Sequence, residues 1–357
     1  MRAKYEAIDF DTPHPSDYQI SLDVPRCHQY HHLLSSAEGH TKLTRILQAW
    51  VRLNPSLNYW QGLDSLLAPF LVLNFNNEPK ALFCLHQLVL SYLKPFFIKE
   101  KSVYFQEHLI IYEQLLSFKD PELSVHLSNI GANSDLYGIP WFLTMFTHIF
   151  SVDKIPRIWD TVLISPESLP LFIAVAIMRQ LRQQILSLDF NYFILLFSSM
   201  PSIDIEKCIQ VALQELTNTP PSVTAPKYSF AKDHKNEDSE KWWENRIPLE
   251  KLRKELFPRL SIHDLVNLYA GGSQAPEVRN GIGLVVLDTR DAENYNYARF
   301  VGSIRVDVED KMASLEKHRG KYIVIVGKED QRTIEFTNSL VRAWFPLVSL
   351  LNGGIDC

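Results

Sequence analysis

No stretch of the 357 residues is apolar for long enough to cross a membrane. The densest run, Leu169-Pro170-Leu171-Phe172-Ile173-Ala174-Val175-Ala176-Ile177-Met178, falls far short of the roughly 20 residues a spanning helix needs, and Arg179 ends it. The opening residues place Glu6, Asp9 and Asp11 beside Arg2 and Lys4 with no apolar segment behind them, so they do not read as a signal peptide. Cysteine is scarce. Cys27, Cys84, Cys208 and Cys357 are scattered, with no C-x-x-C pair, which fits a reduced cytoplasmic compartment. Cys84 and Cys208 fall among helix-patterned apolar residues, where a buried thiol is expected. A basic excess is also missing. The 36 Lys and Arg against 41 Asp and Glu leave a net charge of −5, so no broad positive field draws nucleic acid or anionic lipid. The Gly-rich loop, V-A-I-K, H-R-D and D-F-G signatures of a protein kinase are all lacking.

What remains is ordinary globular material, 46% hydrophobic and 22% charged, in a chain long enough for two or three domains. From about residue 40 to 216 the apolar residues recur at helical spacing. Leu43, Ile46, Leu47, Trp50 and Val51 form one stripe, and Leu82, Leu85, Val89, Tyr92 and Leu93 another, which Pro95 ends. Residues 103–118, 122–130, 140–150, 169–187 and 203–216 repeat the pattern, and strand signals are almost absent. Breakers at 217–222 and the mixed charge run Lys232–Lys241 read as a solvated linker over 217–249. Trp242-Trp243 at its end suits docking onto a domain face, with capture by a partner as the alternative. Beyond residue 250 the period changes. Leu284–Asp288, Tyr322–Val326 and Leu347–Leu350 are short β-branched runs separated by helical stretches at Ser261–Tyr269 and Thr333–Trp344, which predicts a small α/β domain with a parallel sheet.

Two motifs carry chemistry. The first is Ile20-Ser21-Leu22-Asp23-Val24-Pro25-Arg26. The second, Asn58-Tyr59-Trp60-Gln61-Gly62, places its Gln 35 residues after Arg26, with a helical stretch between. An Arg can neutralise charge developing on a γ-phosphate, and a Gln amide can orient an attacking water. Near them Cys27, His28, His31 and His32 have helical spacing that invites a metal. No second ligand cluster stands at a closed-site distance, so a polar loop is the better reading.

These motifs resemble the TBC domain, the helical activator of Rab-family GTPases, whose signatures are I-x-x-D-x-x-R and Y-x-Q-G. Tyr137-Gly138-Ile139-Pro140-Trp141-Phe142 and Arg157-Ile158-Trp159-Asp160 resemble later blocks of that family. The resemblance implies an all-α domain over residues 1–216. In it Arg26 is an arginine finger and Gln61 a glutamine finger. Asp23 positions the Arg loop, Tyr59 and Gly62 shape the Gln loop, and Asp160 beside Trp159 anchors the opposite helix wall. GTP and Mg belong to the partner GTPase, and the chain needs no cofactor or metal of its own. Cys27 stands where the family usually has Thr, and Leu63-Asp64 where Met-Asn is common. The 19 residues before Ile20 read as loop, so the domain looks shortened at its N-terminus. Residues 1–40 are then expected to be mobile and the Arg26 loop loosely held.

Leu287-Asp288-Thr289-Arg290, Gly302-Ser303-Ile304 and Leu351-Asn352-Gly353-Gly354 resemble a rhodanese domain, here residues 250–357. In that family a Cys follows the central strand and a six-residue loop cradles an anion. Here the strand Tyr322–Val326 is followed by Gly327-Lys328-Glu329-Asp330-Gln331-Arg332, so Gly327 takes the nucleophile's place and sulfur transfer is not expected. Glu329 and Asp330 would oppose a thiolate. Arg332 is left either to hold a small anion or to make a plain salt bridge. The resemblances together imply activation of a Rab GTPase in vesicle traffic, in the cytoplasm and peripherally on endomembranes. The alternative is a non-catalytic scaffold whose two domains dock partner proteins.

Overall fold

The computed structural model describes residues 2–57, 59–93, 96, 102–227, 247–270, 277–278, 282–308 and 312–355. Asn58, Pro95, the Lys232–Lys241 run, Trp242-Trp243 and Cys357 lie outside the described residues. The chain packs as two compact units, Met1–Phe105 with Asp135–Pro170, and Gln106–Ser134 with Leu171–Cys357.

The first unit is built of helices. Ser36 caps the helix Ala37–Leu53, its hydroxyl accepting the Gly39 N–H at 2.9 Å. The stripe Leu43, Ile46, Leu47, Trp50 and Val51 is buried throughout, each side chain contributing about 1.5–3 kcal/mol. Asn54 closes the helix by donating its amide to the Trp50 carbonyl. The helices Leu63–Leu73 and Glu78–Leu88 pack against it and against each other.

Two expectations change here. The residues before Ile20 are not all loop. Arg2–Glu6 is a short helix whose Tyr5 is buried and donates its hydroxyl to Glu78. A second helix, Asp17–Asp23, runs through the first motif, and Arg52 grips its Asp17 and the Thr12 carbonyl. Ile20, Val24, Cys27 and Leu34 are all buried. The helix expected over 140–150 spans only Gly138–Leu143, because Met145 and Phe146 adopt left-handed φ of 46° and 70°. That turn lets Phe146 pack edge-on against Phe142, and burial outweighs helical continuity.

Among the described residues the second unit holds a six-stranded sheet: β1 (Arg259–Leu260), β2 (Glu277–Val278), β3 (Ile282–Asp288), β4 (Ile304–Arg305), β5 (Tyr322–Val326) and β6 (Val348–Leu351). The order is β1-β6-β5-β3-β2, with β4 beside β3. All pairings are parallel except β2 with β3. Every residue of β5 and β6 is buried, which is why these strands read as continuous apolar runs. Phe257, Leu287, Ile323, Ile325, Leu340 and Phe345 lie at the centre of the core, and Val125 from the helix Pro121–Ile130 packs on it. The helix expected over 169–187 breaks at Leu181 into Leu169–Gln180 and Arg182–Ile185, and Arg182 pairs with Asp120 and Glu122. Cys208 is buried as expected, whereas Cys84 is only partly so.

The stretch read as the start of a linker is packed. After the helix Ile205–Thr217, Ser222 is buried and takes the Asp264 carboxylate on its N–H at 2.7 Å. Lys227 donates its ammonium to the Ser222 and Ala225 carbonyls. Burial lowers that ammonium to about 8, although the Glu107 charge opposes the shift.

Arg259 on β1 is fully buried. Its guanidinium is clasped by both oxygens of Glu255 at 2.7 and 2.8 Å and by Glu329 at 2.6 Å. Removing one partner of such a cluster strands the other charges without water. Arg259→Met is therefore expected to destabilise the chain by about 3–5 kcal/mol, and Arg259→Met with Glu255→Leu by clearly less. Urea unfolding of the three chains checks both.

Candidate functional site

The first motif folds as the last turns of the helix Asp17–Asp23 and a 3₁₀ turn, Val24–Arg26, which Pro25 opens at a position where no N–H is needed. The turn brings Arg26 back over its own helix. Its Nε donates to the Leu22 carbonyl at 2.9 Å and its Nη2 to Asp23 Oδ1 at 2.9 Å. The side chain is still 62% exposed, so the rest of the fork faces outward.

Asp23 is 3% exposed and accepts from three directions: Gln19 Nε2 at 2.9 Å, Arg26 Nη2, and the Tyr59 hydroxyl at 3.1 Å. Burial, then the Asp64 and Asp23 charges, raises the Tyr59 phenol far above its ordinary value. Its proton stays in place, so it is the donor to Asp23. This bond joins the two motifs. Two residues on, Gln61 is exposed. It is followed by Gly62, whose φ of 103° turns the chain into the helix Leu63–Leu73. A Cβ there would also lie 2.8 Å from Thr144 Cγ2, so both backbone and space require glycine.

Arg26 and Gln61 line one cleft of about 490 Å³, together with Asp23, Asp64, Ile139 and His148. Of the five non-glycine residues with left-handed φ among the described residues, three follow cleft-lining residues within two positions: His28 after Cys27, and Met145 and Phe146 after Thr144. Such backbone persists only where its surroundings hold it, and it concentrates at functional sites. His28 bonds to the Tyr30 hydroxyl at 2.9 Å, and burial draws its imidazole down to about 4. His31 and His32 stack on each other.

Trp159 is buried and donates its indole N–H to the Met145 carbonyl at 2.9 Å. Asp160, assigned an anchoring role from sequence, is exposed. In the helix Ile155–Val162 it faces outward, and the buried residue of the pair is Trp159.

Sequence reasoning passed over Asp64 as a simple departure from the motif. The residue is 6% exposed and accepts the Gly62 N–H at 3.1 Å, with the Cys27 thiol also against it. Burial, then the neighbouring Asp23 charge, raises its pKa. Burial, then Asp64, likewise raises the Cys27 thiol. The signal available in the sequence was the pairing of two departures, Cys27 and Asp64, which turn out to touch.

In the second unit, Gly327 is hemmed in. A Cβ on it would lie 2.0 Å from Thr289 Oγ1, which bonds the Val326 carbonyl at 3.3 Å and Thr333 Oγ1 at 3.2 Å. The Thr289 hydroxyl thus fills the space a nucleophile's side chain would need. The acidic residues of the loop act otherwise than expected. Glu329 turns to Arg259 and Lys251 and accepts the Gly353 N–H at 2.7 Å. Burial would raise its carboxyl, but Arg259 and that N–H hold it below the ordinary value. Asp330 caps the helix Gln331–Arg342 through the Thr333 N–H. Arg332 is exposed at a cavity of about 330 Å³ that Arg290, Arg305 and Lys328 also line.

Comparison with known proteins adds to this geometry. The family model of the Rab-GTPase-TBC domain matches residues 2–186, and that of the rhodanese-like domain residues 261–356. A TBC domain-containing protein kinase-like protein of Homo sapiens is 42% identical over 393 aligned positions, covering 100% of this chain and 44% of its own length. The protein of that name from Dictyostelium discoideum is 41% identical over 355 positions, 99% of this chain and 32% of its own. The chain thus spans less than half the length of these relatives. Among solved structures, the Ypt/Rab-GAP domain of Gyp1p shares the fold at a TM-score of 0.53 and 21% identity, over 61% of this chain and 79% of that one.

Two outcomes are expected. Asp64 has a folded-state pKa above its unfolded value. Its favourable contribution is therefore complete below the ordinary 3.8 and lost as pH rises through the folded value. Asp64→Asn should melt at a higher temperature than wild type at pH 8 and alike at pH 3, read by calorimetry. Gly327→Cys should gain no thiosulfate–cyanide sulfurtransfer, because Thr289 blocks the side chain, and should lose stability. Gly327→Cys with Thr289→Gly should regain the stability.

Proposed function

Starting from a chain that belongs to the Rab-GTPase-TBC domain family and carries a rhodanese-like domain behind it, we propose that it activates a Rab-family small GTPase with two residues given in trans. Arg26 approaches the γ-phosphate of the partner's GTP and neutralises the charge that spreads over its oxygens in the transition state. Gln61 orients the attacking water in place of the GTPase's own glutamine. The observation that carries this reading is the Asp23–Tyr59 bond, which sets an outward-facing guanidinium and an exposed amide on one cleft. Preorganisation of this kind lowers a barrier without contributing a covalent step. GTP and Mg²⁺ come with the partner. The activity is placed in the cytoplasm, on the surfaces of traffic membranes where membrane-anchored GTPases work.

For the rhodanese-like part we propose protein contact rather than sulfur transfer. The Thr289 hydroxyl beside Gly327 and the capture of Glu329 by Arg259 count against sulfur transfer at this loop.

Single-turnover GTP hydrolysis across a Rab panel tests the first proposal. The chain should accelerate at least one member. Arg26→Lys should forfeit about 10³-fold or more of that acceleration, because an ammonium cannot offer phosphate the planar fork. Affinity for the GTP-loaded partner should change far less. Gln61→Ala should also lose acceleration, while a Rab lacking its own catalytic glutamine should still respond to the wild-type chain. Equal kinetics for wild type and Arg26→Lys would refute the assignment.

A further inference from the structure

The cleft proposed to receive a phosphate-bearing partner has too much negative charge for that task. Arg26 brings one positive charge, and Asp23 already matches it at 2.9 Å. Asp64 adds a second carboxylate on the same cleft, and among the described residues no cation pairs with it. Its contacts are the Gly62 N–H, the Ser65 N–H of its own helix and the Cys27 thiol. The other titratable groups around it are Asp23, whose charge acts on it, and Tyr59, whose phenol keeps its proton. His28 is kept neutral by burial, and His148, whose charge acts on His28, lines the same cleft.

We infer that Asp64 sets the charge of this cleft by taking up a proton when the GTP-loaded partner docks. The inference rests on the GTPase-activating reading. Docking does two things to this carboxylate. It removes the water that reaches it through the cleft mouth, and it brings an anionic γ-phosphate to the same opening. Both favour the neutral acid. One proton passes from solvent to Asp64, with no other bond made or broken. Its Oδ1 keeps accepting the Gly62 N–H, so the Gln61 loop holds its shape. The net charge of the Asp23–Arg26–Asp64 group changes from −1 to 0 as the phosphate arrives. Burial and the Asp23 charge already move Asp64 part of the way, since they raise its pKa in the free chain.

The test uses the whole chain and the Rab of the hydrolysis panel that it accelerates most, loaded with Mg²⁺ and a non-hydrolysable GTP analogue. Affinity is measured from pH 6 to pH 8. Wild-type binding should weaken with rising pH by up to about tenfold per unit. Asp64→Asn should bind as tightly at pH 8 as wild type does at pH 6, with a flat profile. Equal slopes for the two chains, or a flat wild-type profile, would overturn the assignment. If Asp64→Asn does not fold, proton uptake is counted by calorimetry in buffers of different ionisation heat, for wild type and His148→Gln. Uptake in both retains Asp64; no uptake, or uptake lost with His148, overturns it. Failure of every Rab to bind at any pH would instead remove the GTPase-activating reading on which the inference stands.

Discussion

One buried carboxylate governs the first unit. Asp23 gathers an amide, a guanidinium and a phenol around itself, and its partners lie on two segments whose linked residues are 36 positions apart. A carboxylate out of water is tolerated only when its lone pairs are met, so the fold cannot move one motif without unsatisfying the other. Arg26 is thereby half restrained. Its inner edge is tied to Asp23 and Leu22 while its outer edge stays in solvent. A free arginine would have to be ordered at the moment of use, and this one is ordered beforehand at the expense of a buried charge.

The second unit treats charge in the opposite sense. Arg259 keeps no outward edge, and Glu255 and Glu329 close around it. The loop that would cradle an anion in a rhodanese-like site has given its Glu329 to that cluster, its Asp330 to a helix cap and its Gly327 carbonyl to the Ile355 N–H. Groups that a reactive site leaves unsatisfied are here satisfied within the chain. The absent cysteine is therefore one part of a wider change, in which the loop's polar atoms serve packing.

Much of this was legible in the residues. The stripe from Leu43 to Val51 gave its helix because one apolar face at helical spacing has one way to be buried. The runs at 284–288 and 322–326 gave strands because they are apolar on both faces. The two motifs were legible from type and spacing, but the Arg26 loop, expected to be loosely held, is tied to Leu22 and Asp23, because a buried carboxylate needs its lone pairs met. Strands β1, β2 and β4 were not legible, since two residues carry no period. The early end of the helix at Leu143 was hidden because left-handed φ at Met145 and Phe146 is set by packing, which local propensity does not report. Asp160 is exposed for a related reason: neighbours in a helix point about 100° apart, so a residue beside a buried tryptophan in sequence need not share its face.

Asp64 shows where sequence reading runs out and why. Its substitution for an amide-bearing residue changes volume hardly at all, and its acceptor oxygen can still meet the Gly62 N–H. Only burial reveals the consequence, since a carboxylate differs from an amide chiefly in the energy of its charged form away from water. Once Asp64 is seen to be nearly inaccessible, close to a second buried carboxylate and opposite no cation among the described residues, the departure stops being neutral. Burial and the Asp23 charge both push such a group toward its neutral acid. Asp23 ties the Arg26 segment to the Gln61 segment, and Asp64 adds a second carboxylate to the cleft that they line.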